Sequence, residues 1–307
     1  MNDASKPPRT FAVEITRDVA YAEAPVGYGT DRAGSRALLL DVYTPVGADP
    51  NMPRAGLVLA HGGAYHRGSK EQDQVEQDGF RNTSMAEYCE HFAARGMVCF
   101  SVGYRLTQER PAPQAQPIKQ DRQNVARGRI DVVRELLDLP PATDAELIDG
   151  NEAAFADVAA AFRFVHANAA RWQVDASRLA IGGFSAGGFS AAYATYAVGV
   201  PAAAVVVLSG GMDEPDAAHY LRKGRGGPPL LTFVSEFDLP GVPARTEALI
   251  SGAERAGVRL RRYHVPARPH FYDRATEVTL EASSLPGAAE QGTVESTIAD
   301  FLAQTLG

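Results

Sequence analysis

The sequence predicts an α/β protein built on a mostly parallel central sheet with helices on both faces. Three features carry that prediction. Short apolar runs at 57–60, 97–102 and 205–208 are almost unbroken by polar residues, as strands buried on both faces must be. Segments with helical spacing of apolar residues, at 84–94, 152–170 and 243–256, alternate with such runs. Between an apolar run at 178–182 and a small-residue helical stretch at 188–194 lies Gly183-Phe184-Ser185-Ala186-Gly187, so that strand, sharp turn and helix follow one another.

The elements follow in order. Residues 11–15 alternate apolar and polar and read as an edge strand. A glycine-rich turn at 27–34 leads to a second strand at 37–43, stopped by Pro45. The central strand 57–60 ends in His61-Gly62-Gly63-Ala64. A helix at 84–94 precedes the buried strand 97–102. The chain is then proline-rich to Pro117, and 119–139 spaces Val125, Ile130, Val133, Leu136 and Leu137 as one helix would, until Pro140-Pro141. We read 105–152 as an inserted helical segment, either a cap over the site or a flank beside it. A helix over 152–170 and a turn at 175–178, with Asp175 as turn-former, lead to the motif strand. Beyond it come strands at 205–208, 229–234 and 260–265, the last of the sheet. An irregular stretch at 212–227 is suited to a small lid, a helix at 243–256 is closed by Gly257, and a helix at 294–306 ends the chain. The whole, 1–307, reads as a single domain without internal repeats.

Composition excludes several classes. A net charge of −7 leaves no basic excess to neutralise phosphates, which argues against nucleic acid. No apolar stretch approaches the roughly 18 residues a membrane span needs, and residues 1–10 lack the apolar core of a signal peptide. The two cysteines, Cys89 and Cys99, are expected as free thiols in a reducing compartment, hence a cytoplasmic protein. No Cys/His spacing suits a metal. Gly182-Gly183-Phe184-Ser185-Ala186-Gly187 lacks the spacing of a dinucleotide loop, and no phosphate-binding G-x-x-x-x-G-K-[ST] occurs.

The chemistry centres on Ser185. A G-x-S-x-G turn holds its serine in a strained conformation at a strand tip, and side chains at 183 or 187 would crowd it. A serine hydroxyl needs a base within hydrogen-bond reach. In this architecture the partners follow in the order serine, acid, histidine. His219, His264 and His270 follow Ser185. His219 precedes the strand that should carry the acid, and His264 lies inside a strand. His270 stands in the loop beyond that strand, where α/β sheets put their chemistry, and is the expected general base. The acid should come from Ser235-Glu236-Phe237-Asp238. Asp238 is preferred to Glu236 because the loop needs a residue or two to turn toward the site; Asp213 and Asp216 are more distant alternatives. For the oxyanion, Ala186 supplies one backbone N–H, and His61-Gly62-Gly63-Ala64 resembles a segment that supplies others, from Gly63 and Ala64 before Gly62. His61 itself reads as a structural hydrogen bonder.

At this point the chain resembles the α/β-hydrolase fold family, and most closely the serine carboxylesterases of the hormone-sensitive-lipase and acetyl or feruloyl esterase-like groups. The stretches that carry the resemblance are His61-Gly62-Gly63-Ala64-Tyr65 with Gly68-Ser69, then Gly103-Tyr104-Arg105-Leu106, Gly183 to Gly188, Asp238 and His270. Ala64 in place of a third glycine and Phe184 in place of an acidic residue are more like the carbohydrate-esterase branch. The resemblance implies Ser185, Asp238 and His270 as a catalytic triad, a two-step acyl-enzyme mechanism without cofactor, and a small soluble ester as substrate. Tyr65 and Phe184 are the expected pocket residues. Two alternatives stay open: hydrolysis of an amide or formamide by the same triad, as in arylformamidases, and a non-catalytic small-molecule receptor of the same fold.

Overall fold

The computed structural model describes residues 10–49, 51–123, 125 and 127–307. An antiparallel hairpin of β1 (Val13–Val26) and β2 (Gly34–Pro45) opens the chain. Then come β3 (Arg54–Ala60), the two-residue strands β4 (Glu76–Gln77) and β5 (Phe80–Arg81), α1 (Met85–Ala93) and β6 (Val98–Val102). Helices α2 (Arg127–Leu136) and α3 (Asp144–Ala167) precede β7 (Val174–Phe184), α4 (Ala186–Ala192) and β8 (Ala204–Leu208). The remainder is α5 (Glu214–Tyr220), β9 (Leu230–Phe237), α6 (Val242–Ala256), β10 (Leu260–Pro269), β11 (Glu277–Ser283), β12 (Gln291–Thr293) and α7 (Val294–Leu306).

Among the described residues ten strands form one sheet in the order β1-β2-β6-β3-β7-β8-β9-β10-β11-β12. The run from β6 to β10 is parallel, and each edge is finished by antiparallel strands. Alternation along the parallel strands explains why their sequences are continuously apolar. Val58, Phe100, Ile181, Val205 and Val207 join a core with α3, α4, α5 and α6. Leu57, Leu59, Cys99, Ala180 and Val206 join a second core on the opposite face with α1 and α7. Helices therefore cover both faces, and both cysteines are buried free thiols. Among the described residues no helix is long and apolar enough to cross a membrane.

Several elements differ from the sequence expectation. The edge strand extends from 13 to 26 rather than 11 to 15, bent by register shifts at Thr16/Val19 and Ala20/Ala22. The helix expected over 119–139 is confined to Arg127–Leu136, and residues 124 and 126 of that span lie outside the described residues. Its first part cannot join the helix because carboxylates hold the backbone elsewhere: Glu152 Oε1 accepts from the N–H groups of Ile118 and Lys119, and Asp216 Oδ1 accepts from that of Gln120. Helix α3 starts at Asp144 rather than 152, because Thr143 and Glu146 form a capping box. The 212–227 stretch contains α5, β7 already begins at Val174, and 260–265 is not the last strand, since β11 and β12 add to the edge.

Candidate active site

Ser185 sits between β7 and α4 with φ 53° and ψ −120°, the strained conformation that the turn sequence anticipates. Its N–H donates to Leu208 O at 2.8 Å, tying the turn to the end of β8. The flanking glycines are required sterically. A Cβ at Gly187 would lie 1.9 Å from Ala60 O, and one at Gly183 would lie 2.5 Å from Gly187 C. Only side-chain-free backbone lets β3, β7 and α4 converge here.

The structure brings Ser185, His270 and Asp238 together. His270 Nε2 is 2.8 Å from Ser185 Oγ, and His270 Nδ1 is 2.5 Å from Asp238 Oδ1. Asp238 directly follows β9 and His270 directly follows β10, neighbouring parallel strands whose ends open on the same rim as the turn at Ser185. The Asp238 side chain is fully buried and accepts two further hydrogen bonds, from Ser209 Oγ–H at 2.7 Å and from the Leu239 N–H at 2.7 Å. The Tyr272 hydroxyl lies 3.2 Å from Ser209 Oγ. With both acceptor oxygens engaged, the carboxylate is fixed toward Nδ1, which leaves Nε2 to face the serine. The alternatives lie elsewhere. Glu236 accepts from the Ala267 N–H, His264 faces Glu236 and Glu281, and Asp213 and Asp216 serve the network around Lys119.

The loop after β3 turns through three residues of positive φ: Gly63 at 120°, Ala64 at 54° and Tyr65 at 62°. The N–H groups of Gly63, Ala64 and Ala186 meet no hydrogen-bond acceptor among the described residues. Gly62 does: its N–H donates to Asp73 Oδ2 at 2.8 Å, which removes it from the expected donor set. Asp73 also accepts from the Met85 N–H at the start of α1, and burial raises its carboxyl to about 6. His61 is buried, stacks on Tyr104 with ring centroids 4.1 Å apart, and meets Gly62 O through Nδ1. Burial lowers its imidazole to about 4, so it stays neutral and structural.

Beside Ser185 opens a cavity of about 640 Å³. Tyr65, Phe155, Ala186 and Phe189 line it from the sheet side, and Val125, Ile130, Val132 and Ile148 from the 105–152 segment. Tyr65 is thus at the cavity, as expected. Phe184 is not: it is buried behind His270, ring centroids 5.0 Å apart, and reaches only a narrow cleft beside Ser185. The polar end of the cavity is an ion-pair network in which Lys119 and Arg245 meet Asp213. Asn151 Oδ1, also at the cavity, is a buried acceptor without a protein partner among the described residues.

A family model described as BD-FAE matches residues 150–203, which span most of α3, β7 and the turn at Ser185. No curated protein matches the chain. Among solved structures it is similar to a thermophilic esterase, Est2, from the Planctomycetes species Thermogutta terrifontis in a propionate-bound form. The TM-score is 0.54 and identity 19%, over 86% of this chain and 85% of that one. It is similar as well to Thermogutta terrifontis esterase 2 phosphorylated by paraoxon, with TM-score 0.53 and 17% identity over 88% of this chain and 87% of the other. A butyrate-bound form of Est2 gives TM-score 0.52 and 19% identity over 86% and 85%. The chain has the α/β-hydrolase fold.

Within this fold the residues that brace the site are partly ones the sequence does not single out. Tyr104 and Arg105 were noted, and both are anchors. Tyr104 O–H donates to His61 O, and Arg105 forms a bidentate buried ion pair with Asp157 on α3. Asp73, Ser209 and Tyr272 were missed. His66 was missed too: Nδ1–H donates to Ala64 O, and Nε2 accepts from Arg134 of α2.

Proposed function

We propose that this chain is a serine hydrolase of small carboxylic esters with short acyl groups, working through an acyl-enzyme intermediate. The observation that carries the reading is the unbroken line from Ser185 Oγ through His270 to the buried Asp238 carboxylate, beside a largely apolar cavity. His270 Nε2 takes the Ser185 proton as Oγ attacks the ester carbonyl carbon. The negative charge that develops on the carbonyl oxygen falls to the N–H groups of Gly63, Ala64 and Ala186. His270 then gives the proton to the departing alcohol, and water, deprotonated by the same nitrogen, releases the acid. Asp238 keeps the Nδ1–H tautomer and steadies the imidazolium formed in between.

The 105–152 segment acts as a wall of the acyl site, since Ile130, Val132 and Ile148 border the cavity. Similarity to esterase structures holding propionate and butyrate supports a short acyl group. A chain with two cysteines, both buried, suits a reducing compartment, the cytoplasm. A screen of 4-nitrophenyl esters of graded chain length beside acetylated sugars, feruloyl esters and N-formylkynurenine tests the reading. Short-chain esters should be turned over fastest, and all turnover should vanish in Ser185→Ala. Faster cleavage of the formamide than of every ester would replace the ester reading with the amidase one. A folded enzyme inert toward all of them would point to the receptor.

A further inference from the structure

Among the described residues most arginine side chains meet a carboxylate or a carbonyl oxygen, whereas at the site those of Arg67 and Arg129 meet neither. Arg67 and Arg129 line the narrow cleft that also contains Ser185, His270, Gly63 and Ala64. Neither forms an ion pair among the described residues, and Arg67 Nε is buried without a hydrogen-bond partner. Both are partly buried. Burial pulls both guanidiniums below the ordinary arginine value, and for Arg129 the charge of Arg67 adds to the effect. Asp73 lines the same cleft, but its carboxylate oxygens face the N–H groups of Gly62 and Met85 and form no ion pair with either arginine among the described residues.

Both arginines are held where they are. The Arg67 N–H donates to Gly63 O, and its Cγ would lie 3.1 Å from a Cβ at Gly63, so its stem rests on the oxyanion loop. The Arg129 guanidinium lies over the Phe271 ring, 5.6 Å from its centroid, next to the catalytic histidine in sequence. Arg129 also borders the main cavity, whereas Arg67 borders an outer groove of about 570 Å³ with more polar lining. Two neighbouring cations taken partly out of water without a counter-charge are unfavourable in the empty protein. An anionic group on the ligand would remove that cost.

We infer that Arg67 and Arg129 select esters that carry a carboxylate on the acid or the alcohol portion, with that carboxylate seated on the two guanidiniums beside Ser185. The inference rests on the hydrolase reading above. It narrows the substrate from small esters in general to half-esters of dicarboxylic acids or esters of hydroxy acids. The planar fork of a guanidinium suits a carboxylate, and Arg129 borders both this cleft and the cavity beside Ser185.

The test compares carboxylate esters with their neutral carboxamide isosteres. On the alcohol side the pair is 4-acetoxybenzoate and 4-acetoxybenzamide; on the acid side it is monomethyl adipate and methyl 5-carbamoylpentanoate. In at least one pair the carboxylate member should have the higher kcat/KM by roughly tenfold to a hundredfold, the range of one or two charge-assisted hydrogen bonds. That pair names the side on which the charge is read. Arg129→Gln and Arg67→Gln should each lower the carboxylate-to-carboxamide ratio, and the double variant should bring it near unity. Added salt should lower the wild-type ratio as well. A wild-type ratio near unity in both pairs would overturn the inference. So would folded arginine variants that slow both members of a pair equally, since the guanidiniums would then be serving the oxyanion rather than the substrate's charge. If 4-nitrophenyl acetate and both pairs are all left uncleaved, it is the hydrolase reading that fails.

Discussion

Ser209 gives a sharp test of how the Asp238 carboxylate is held. Its hydroxyl donates to Asp238 Oδ2 at 2.7 Å, while Oδ1 receives the His270 and Leu239 N–H groups. The Asp238 side chain is fully buried, so bulk solvent does not reach its oxygens. A hydrogen bond to a charged group contributes about 1.5–3 kcal/mol. If Asp238 acts only through the geometry of His270, that loss appears as roughly a tenfold to 150-fold fall in kcat/KM. Ser209 also has φ 45°, in the left-handed region. Ser209→Gly therefore removes the hydroxyl without backbone strain, whereas Ser209→Ala removes it and keeps the strain. Steady-state kinetics on a 4-nitrophenyl ester together with thermal melts separates the two effects. Both variants should lose activity alike, with the alanine variant melting lower. The Tyr272 hydroxyl, 3.2 Å from Ser209 Oγ, is the group best placed to compensate, so Ser209→Gly with Tyr272→Phe should lose more than Ser209→Gly alone. Full activity in the folded double variant would refute the idea that Asp238 needs this support.

Further expectations follow from particular contacts. Gly187→Ala forces a Cβ to within 1.9 Å of Ala60 O, and such overpacking costs about 3 kcal/mol or more, seen as a clear fall in Tm together with lost turnover. Asp157→Ala strands the buried Arg105 guanidinium and should cost about 3–5 kcal/mol in urea unfolding, with Asp157→Asn milder. Asp73 is raised from an ordinary 3.8 to about 6, so the native state holds its proton more tightly than the unfolded chain. Stability should then fall by on the order of 3 kcal/mol as pH rises from about 4 through 6, and urea unfolding of Asp73→Asn at both ends of that window should lack this component. If the 105–152 side of the cavity takes the acyl group, Ile148→Trp, which fills it, should shift the chain-length profile of 4-nitrophenyl esters toward acetate; an unchanged profile would remove that segment from the acyl wall.

The parallel core was legible because burial on both faces leaves a plain mark, a short run without polar interruption, and β3, β6 and β8 all carry it. Ser185, Asp238 and His270 were legible for a different reason. The glycines around Ser185 have steric work to do, and chain order with strand ends leaves few candidates for its partners. What was missed has no such local mark. Ser209 supports a carboxylate 29 positions away and looks like any strand-end serine. Asp73 reads as one more polar loop residue until the fold sets it under Gly62. Strands β11 and β12 lie at an exposed edge, where only Val278 is buried in β11, so their pattern is polar. The start of α3 carries its own mark in the capping box of Thr143 and Glu146, whereas the sequence reading takes that helix only from 152. Phe184 borders the narrow cleft beside Ser185 and not the main cavity. Its place beside the nucleophile suggested a pocket wall, yet a residue at the end of β7 alternates inward, and its ring packs behind His270.

The central claim is that Ser185 is a nucleophile activated by His270. Reaction of the intact protein with a fluorophosphonate, followed by mass measurement of the whole chain and of its peptides, tests it most directly. The account predicts one adduct per chain, on the peptide carrying Ser185, absent in Ser185→Ala and formed far more slowly in His270→Ala. A folded wild-type protein that stays unmodified, or that carries the adduct on another residue, would contradict it.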